Sequence, residues 1–373
     1  MSVLSPAADF VYGNTRLRAR KADLLGADDY EALLGRDLAG LAEGLLATAY
    51  RPEIEALLAG SGDVARLREA LRRNLGRSLE QMRAVYQDAA RSLVDLLLAR
   101  YDLHNLLTLL RGRLRGYPRD VVRANLIPIG ALGGDAADEI AGRQDPAAVV
   151  DLIVSWRLPD ATTAHTLSTA WPEYERTQDM AVLELALATH HARLLQRELA
   201  DAGAEAEPLR ELVARERDAT NVLVVLRLRS ALDLGEMTQL PPAPAPGRFL
   251  AGGKIDESAL DAALRQPGRA EAAARLAVSA RREDWRVPLE RFAAGGDLVA
   301  LDRQLEIARV RWAVKLFLVG DPLGLDVPVA YTVAKENEVR NLRLLGEEAD
   351  GSVPAGAVRT RLVLPLAGGE WGV

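Results

Sequence analysis

One segment of this chain recurs, and the recurrence constrains the fold more than any other feature. Asp102-Leu-His-Asn105-Leu-Leu-Thr-Leu-Leu-Arg111 returns as Asp218-Ala-Thr-Asn221-Val-Leu-Val-Val-Leu-Arg227, and more weakly as Glu338-Val-Arg-Asn341-Leu-Arg-Leu-Leu345. The asparagines lie 116 positions apart (105 to 221) and 120 positions apart (221 to 341). A second element follows each: Ile127-Pro-Ile-Gly130-Ala-Leu132, Leu250-Ala-Gly-Gly253-Lys-Ile255 and Val353-Pro-Ala-Gly356-Ala-Val358. Two linked elements, repeated three times in one order at near-constant spacing, predict three related helical modules over 1–125, 126–245 and 246–373. In each copy the acid and the asparagine stand at i and i+3, on one helix face among aliphatic neighbours. An asparagine there is either buried and bonded to a neighbouring helix or loop, or turned to a partner. The first is favoured, because every module has to fix the same helix junction. The glycine of the second element is expected at a positive-φ turn, and Asp256 is expected to cap the helix that follows.

Between these motifs the pattern is helical. From Val64 to Arg115, Leu67, Leu71, Leu75, Leu79, Met82, Val85 and Tyr86 recur at three- and four-residue steps, which makes one apolar stripe. The segments 149–156, 180–199, 209–232, 270–279 and 298–319 read alike. Breaks fall at Gly116-Tyr-Pro118, Gly133-Gly134, Gly295-Gly296 and Gly320-Asp-Pro322. Leu240–Pro246 is too rich in proline to be helical, and Pro365–Val373 reads as a loose tail. Aromatic residues are only 5 % of the chain, so the core is filled by Leu, Val and Ala, which suits helix-on-helix packing. The fold class is all-α.

Charge narrows the function. With 47 basic and 53 acidic residues the net charge is −6, opposite to that of a general nucleic-acid binder. Arg111, Arg113, Arg115, Arg119 and Arg123 still allow a local positive patch, although a solvated helix face and loop is the plainer reading. Cysteine is absent, which removes disulfides, thiolate nucleophiles and Cys-held metals. Met1–Tyr12 carries Asp9 and no signal pattern. No apolar run approaches a membrane span of about 18 residues. A soluble protein is expected, with any membrane association made through a partner.

Enzymatic patterns fail one by one. Gly252-Gly253-Lys254-Ile255 approaches a phosphate-binding loop but has Ile where Ser or Thr would hold magnesium, and Arg248 in place of the first glycine. Asp28-Asp29-Tyr30-Glu31-Ala32 lacks the final acid of a metal-binding DDxxD. His190 and His191 are adjacent and diverge by about 100° on a helix, so they cannot grip zinc as an i,i+4 pair can. Ser61 lies in a glycine loop without the G-x-S-x-G pattern. No catalytic residue, cofactor site or metal site is expected. A helical scaffold of solenoid type and a helical lyase are the rival readings. The repeat length argues against the first, and the missing metal or histidine constellation against the second.

Several segments together resemble the C subunit (d in eukaryotes) of V/A-type rotary ATPases. Tyr12-Gly-Asn14-Thr-Arg16-Leu-Arg18-Ala19 is similar to that family's N-terminal pattern, and Tyr101-Asp102-Leu-His-Asn105-Leu to its first Asn helix. The most specific match is Lys335-Glu336-Asn337-Glu338-Val-Arg340-Asn341-Leu-Arg343, preceded by Gly320-Asp-Pro322 and Ala330-Tyr331. The matches run from Tyr12 to Val358; the Pro-rich loop and the Gly/Trp tail depart from the family pattern. The resemblance implies a non-catalytic rotor part, with three similar helical wedges around a central cavity forming a funnel with approximate threefold symmetry. It implies the stalk subunits D and F and the membrane rotor ring as partners, and no nucleic acid or small-molecule substrate. The implied place is the cytoplasmic face of the membrane, with torque passed between ATP turnover and proton or sodium transport. Arg16, Arg18, Asn105, Asn221, Arg340, Asn341 and Arg343 are the candidate partner contacts or module-packing residues.

Overall fold

A computed structural model describes residues 9–60, 62–240, 248–354 and 356–365. Ser61, most of the Pro-rich run, Ala355 and the tail from 366 on, all singled out in the sequence, lie outside the described residues. Among the described residues every regular element is a helix. In chain order they are α1 (Val11–Arg20), α2 (Ala27–Leu33), α3 (Leu38–Leu45), α4 (Arg51–Leu58), α5 (Val64–Arg83) and α6 (Asp88–Leu114). Then come α7 (Arg119–Ala124), α8 (Asp135–Gly142), α9 (Pro146–Ser155), α10 (Ala161–Thr177), α11 (Met180–Asp201) and α12 (Glu207–Asp233). The last are α13 (Glu257–Leu264), α14 (Arg269–Ser279), α15 (Glu283–Ala293), α16 (Leu298–Val319) and α17 (Asp326–Ala349).

Local chemistry starts many of them. Asp37, Asp63, Asp145 and Asp160 each sit at an N-cap and accept a main-chain N–H of the first turn, satisfying donors that a helix start leaves open. Asp256 does occupy the N-cap of α13, but its side chain makes no capping bond. The glycine and proline breaks all fall between helices. The long apolar stripe from Val64 to Arg115 is not one helix. It divides after Arg83, and Tyr86 leaves the helical path to point its hydroxyl at Asn14 Oδ1, 2.7 Å away. Asp88 restarts the chain at φ +48°, an unusual value for a residue with a side chain.

The chain forms two compact units, one of residues 1–191 with 314–373, the other of residues 192–313. In the first, α17 is a central helix touching α1, α3 and α5. It is buried without a break from Val327 to Lys335 and at most positions on to Gly346. A helix apolar on every side belongs in an interior, which explains the low charge of Val327–Ala334. A further core of the same unit joins α6 to α11 through Leu106, Leu110, Ile140, Ile153, Leu167 and Leu187. The second unit builds its own core on α12 to α16, in which Trp285 is fully buried in one cluster with Val222, Leu226, Leu276 and Leu305.

Candidate functional site

The repeated asparagines are all buried, and each is spent on the main chain. Asn105 Nδ2 donates to the Ile127 carbonyl at 2.7 Å while its Oδ1 accepts the Ile127 N–H at 2.9 Å. Asn221 treats Leu250 alike, at 2.9 and 2.8 Å. Asn341 treats Val363 alike, at 2.8 and 3.2 Å. A carboxamide offers one donor face and one acceptor face, so it imitates a strand partner for a single residue and pins a loop to a helix. The first two targets, Ile127 and Leu250, open the second element of their repeats. The third does not: Asn341 bonds to Val363, ten residues past the start of the element read at Val353–Val358. Sequence composition misled there, because Val353-Pro-Ala-Gly356 imitates Ile127-Pro-Ile-Gly130.

The acid three residues earlier completes the first two grips. Asp102 Oδ1 accepts the Leu132 N–H at 3.0 Å, and Asp218 accepts the N–H groups of Lys254 and Ile255, each at 3.0 Å. Burial pushes the Asp102 carboxyl above its ordinary value despite these bonds. Both carboxylates press on a glycine of the second element. Gly130 has φ +77°, as expected. At Gly253 the expectation fails, since the positive φ (+96°) belongs to Gly252. Gly253 is needed for a different reason: a Cβ there would stand 2.1 Å from Asp218 Oδ1. Asp218, fully buried, is also paired with Arg282 at 2.5 Å, a partner 64 residues away that the sequence did not indicate.

In the third copy the acid turns elsewhere. Glu338 receives the Leu25 N–H at 2.5 Å, the Tyr50 hydroxyl at 2.8 Å and Lys335 Nζ at 2.6 Å. Lys335 and Glu338 are both about 2 % exposed, and the ammonium stands 4.1 Å from the centre of the Tyr50 ring. The motif Lys335–Arg343 therefore acts partly as an internal anchor that draws the N-terminal segments onto α17. Asn14, from the other matched motif, serves the same end: its Nδ2 donates at 2.9 Å to the carbonyls of both Pro322 and Gly324, in the turn that leads into α17.

The arginine candidates lie differently. Arg16 and Arg18 are exposed on α1 beside Tyr12, which is 65 % exposed, and neither makes an ion pair among the described residues. Arg343 is exposed and Arg340 half-buried on α17, again without an ion pair among the described residues. Arg340 and Arg343 line one cleft, which Arg16 and Arg18 do not line. Among the described residues no group of three His, Asp or Glu side chains is placed to hold a metal ion, and no helix is long and apolar enough to cross a membrane.

Among the described residues these features define an all-helical protein whose repeated buried asparagines pin loops to helices. Comparison with known proteins identifies which helical family this is. The chain belongs to the ATP synthase (C/AC39) subunit family, whose model matches residues 13–358. It is 31 % identical over 362 residues to the C subunit of the V-type ATP synthase of Thermus thermophilus, covering 96 % of this chain and 100 % of that one. To the C subunit of the A-type ATP synthase of Haloferax volcanii it is 26 % identical over 354 residues, covering 95 % of this chain and 97 % of the relative. The corresponding V-type C subunit of Deinococcus radiodurans is 26 % identical over 353 residues, 94 % and 90 % of the two chains.

Proposed function

We propose that this chain is a non-catalytic central-stalk subunit of a V/A-type ATPase/ATP synthase, joining the rotating stalk to the membrane rotor ring. Its partners are then the stalk subunits D and F on one side and the ring subunits on the other, at the cytoplasmic face of the membrane. The observation that carries this reading is the family match over residues 13–358, which takes in Asn14 and all three repeated asparagines. The three modules at 1–125, 126–245 and 246–373 are proposed to surround a central cavity with approximate threefold symmetry.

A part that passes torque has to resist deformation while its partners push on it. Close-packed helices are stiff because their interiors have almost no free volume to yield into. The buried grips add to this, since a loop held through both its N–H and its carbonyl cannot slide along the helix that holds it. On this reading no bond is made or broken in the chain. It converts stalk rotation into ring rotation, and so ATP turnover into proton or sodium transport, or the reverse.

Affinity purification of the tagged chain from its own membranes tests the assignment. Ring and stalk subunits should co-isolate with it. Isolation of the chain without them would refute the reading. Calorimetry on the purified chain supplies a second check, with no micromolar binding of ATP expected.

A further inference from the structure

Between α5, α6, α7 and α17 lies an open cleft of about 700 Å³. Five guanidiniums line it, those of Arg72, Arg111, Arg115, Arg340 and Arg343, against the single carboxylate of Glu336. That carboxylate is already engaged by the Tyr101 hydroxyl at 2.6 Å. Arg111 has Glu184 at 2.6 Å, and Arg72 gives its Nε–H to the Ala124 carbonyl at 2.6 Å. Arg115 and Arg343 have no ion-pair partner among the described residues, and Nη1 of Arg340 is shielded from solvent with no hydrogen-bond partner. Burial, then the neighbouring charge of Arg343, draws the Arg72 guanidinium down to about 10. Arg111, Arg115 and Arg343 are exposed, but the shielded Nη1 of Arg340 and the half-buried, crowded Arg72 carry positive charge out of water, which is costly unless an anion completes them.

The walls say what kind of anion. Tyr117 and Val121, 47 % and 42 % exposed, present apolar surface on the lining. The cations run in two rows at helical spacing, Arg111 on α6 with Arg115 at its C-cap, and Arg340 and Arg343 along α17. A compact phosphate would be satisfied by one or two guanidinium forks and would need no apolar wall. A helix with acidic side chains three and four residues apart and apolar ones between them matches both features. We propose that this cleft receives an acidic amphipathic segment of another protein in the complex, its carboxylates on Arg115, Arg340 and Arg343 and its apolar side chains on Tyr117 and Val121. The proposal rests on the reading that the chain works inside a rotary complex. It gives a use to part of the arginine group at 111–123 that the sequence left as a solvated face. Arg113 and Arg123 stay out of it: the first is bonded to the Tyr117 carbonyl and the second to Asp138.

Carbodiimide coupling in the purified complex tests it. Arg343→Lys keeps the charge and adds an amine that a carboxylate in contact can capture as an amide, to be located by mass spectrometry. The expected result is a link from position 343 to an Asp or Glu of another protein of the complex, absent in Arg343→Gln. An assembled complex in which position 343 couples only within its own chain, or not at all, overturns the proposal. A wild-type chain that fails to co-purify with the complex removes the coupling reading itself, which is a different result. As a second arm, R340E/R343E should lower retention of the chain in the complex roughly tenfold at moderate salt; unchanged retention contradicts the proposal. In a third arm, inorganic pyrophosphate is titrated into the isolated chain. Micromolar binding that R340Q/R343Q abolishes would reassign the cleft to a phosphate ligand.

Discussion

Asn341 and Val363 exchange two hydrogen bonds, carboxamide N–H to carbonyl at 2.8 Å and main-chain N–H to carboxamide oxygen at 3.2 Å. The 22-residue separation is the same as between Asn105 and Ile127. Between Asn221 and Leu250 it is 29. The seven extra residues fall in the interval that holds the Pro-rich run, so the same grip tolerates a longer connection.

Removing a grip strands two buried main-chain groups, each costing about 1–3 kcal/mol. Asn105→Ala and Asn221→Ala should therefore each lower stability by roughly 2–6 kcal/mol in urea unfolding. Asn341→Ala should cost less, because Asn337 Nδ2 also donates to the Val363 carbonyl at 2.8 Å. Asparagine-to-aspartate changes should be at least as harmful as alanine, since a carboxylate cannot donate to the loop carbonyl. Near-neutral Asn→Asp variants would contradict the assignment.

The Lys335–Glu338 pair predicts an asymmetry. Breaking a buried pair by removing one partner costs about 3–5 kcal/mol, because the other charge is left unpaired. Glu338 serves Leu25 and Tyr50 as well as Lys335, whereas Lys335 has Glu338 as its hydrogen-bond partner. Glu338→Ala should thus destabilise more than Lys335→Met, and should also loosen residues 24–50 in hydrogen exchange. Equal losses, or unchanged exchange at Leu25, would refute the anchoring role.

Alkaline pH should unfold this chain through its tyrosines. Tyr30 and Tyr50 are fully buried, and burial, then the nearby Glu338 charge, holds both phenols well above the ordinary value of 10.0. The folded state keeps protons that the unfolded state loses above about pH 10, so their contribution is intact below that pH and declines as pH rises past it. The limiting slope is about 1.4 kcal/mol per pH unit for each phenol. Urea unfolding between pH 9 and 11.5 should show this fall, and Tyr30→Phe should make it shallower by one phenol's share. An unchanged slope in that variant would contradict the prediction.

The helical class, the principal helices and the burial of the three asparagines were legible because each rests on local spacing. An acid and an asparagine at i and i+3, followed by a glycine loop, carry their own signature. The Val363 target was hidden behind a better-looking imitation at Val353, and the 22-residue spacing from the first copy was the signal that would have found it. The pairing of Lys335 with Glu338 and its burial were not legible, because periodicity reports a helix face and not whether a second layer covers it. On α17, covered on several sides, that inference has no purchase. The break at Arg83 was invisible for a similar reason: Val85 and Tyr86 continue the stripe, and the partners of Tyr86 outside it, Asn14 and the Phe10 ring, lie far away in sequence. Arg282, Arg72 and Tyr50 act across long sequence separations and left no local trace.

The central claim is that this chain couples the stalk to the ring, and deleting it tests that claim most directly. Membrane vesicles would be prepared with and without the chain, and ATP hydrolysis and ATP-driven ion uptake measured on the same samples. Hydrolysis should continue without it, because on this reading the catalytic sites lie in other subunits, while ion uptake should vanish and return when the chain is added back. Ion uptake at normal efficiency in its absence would show that torque reaches the ring by another route, and the coupling role would be wrong.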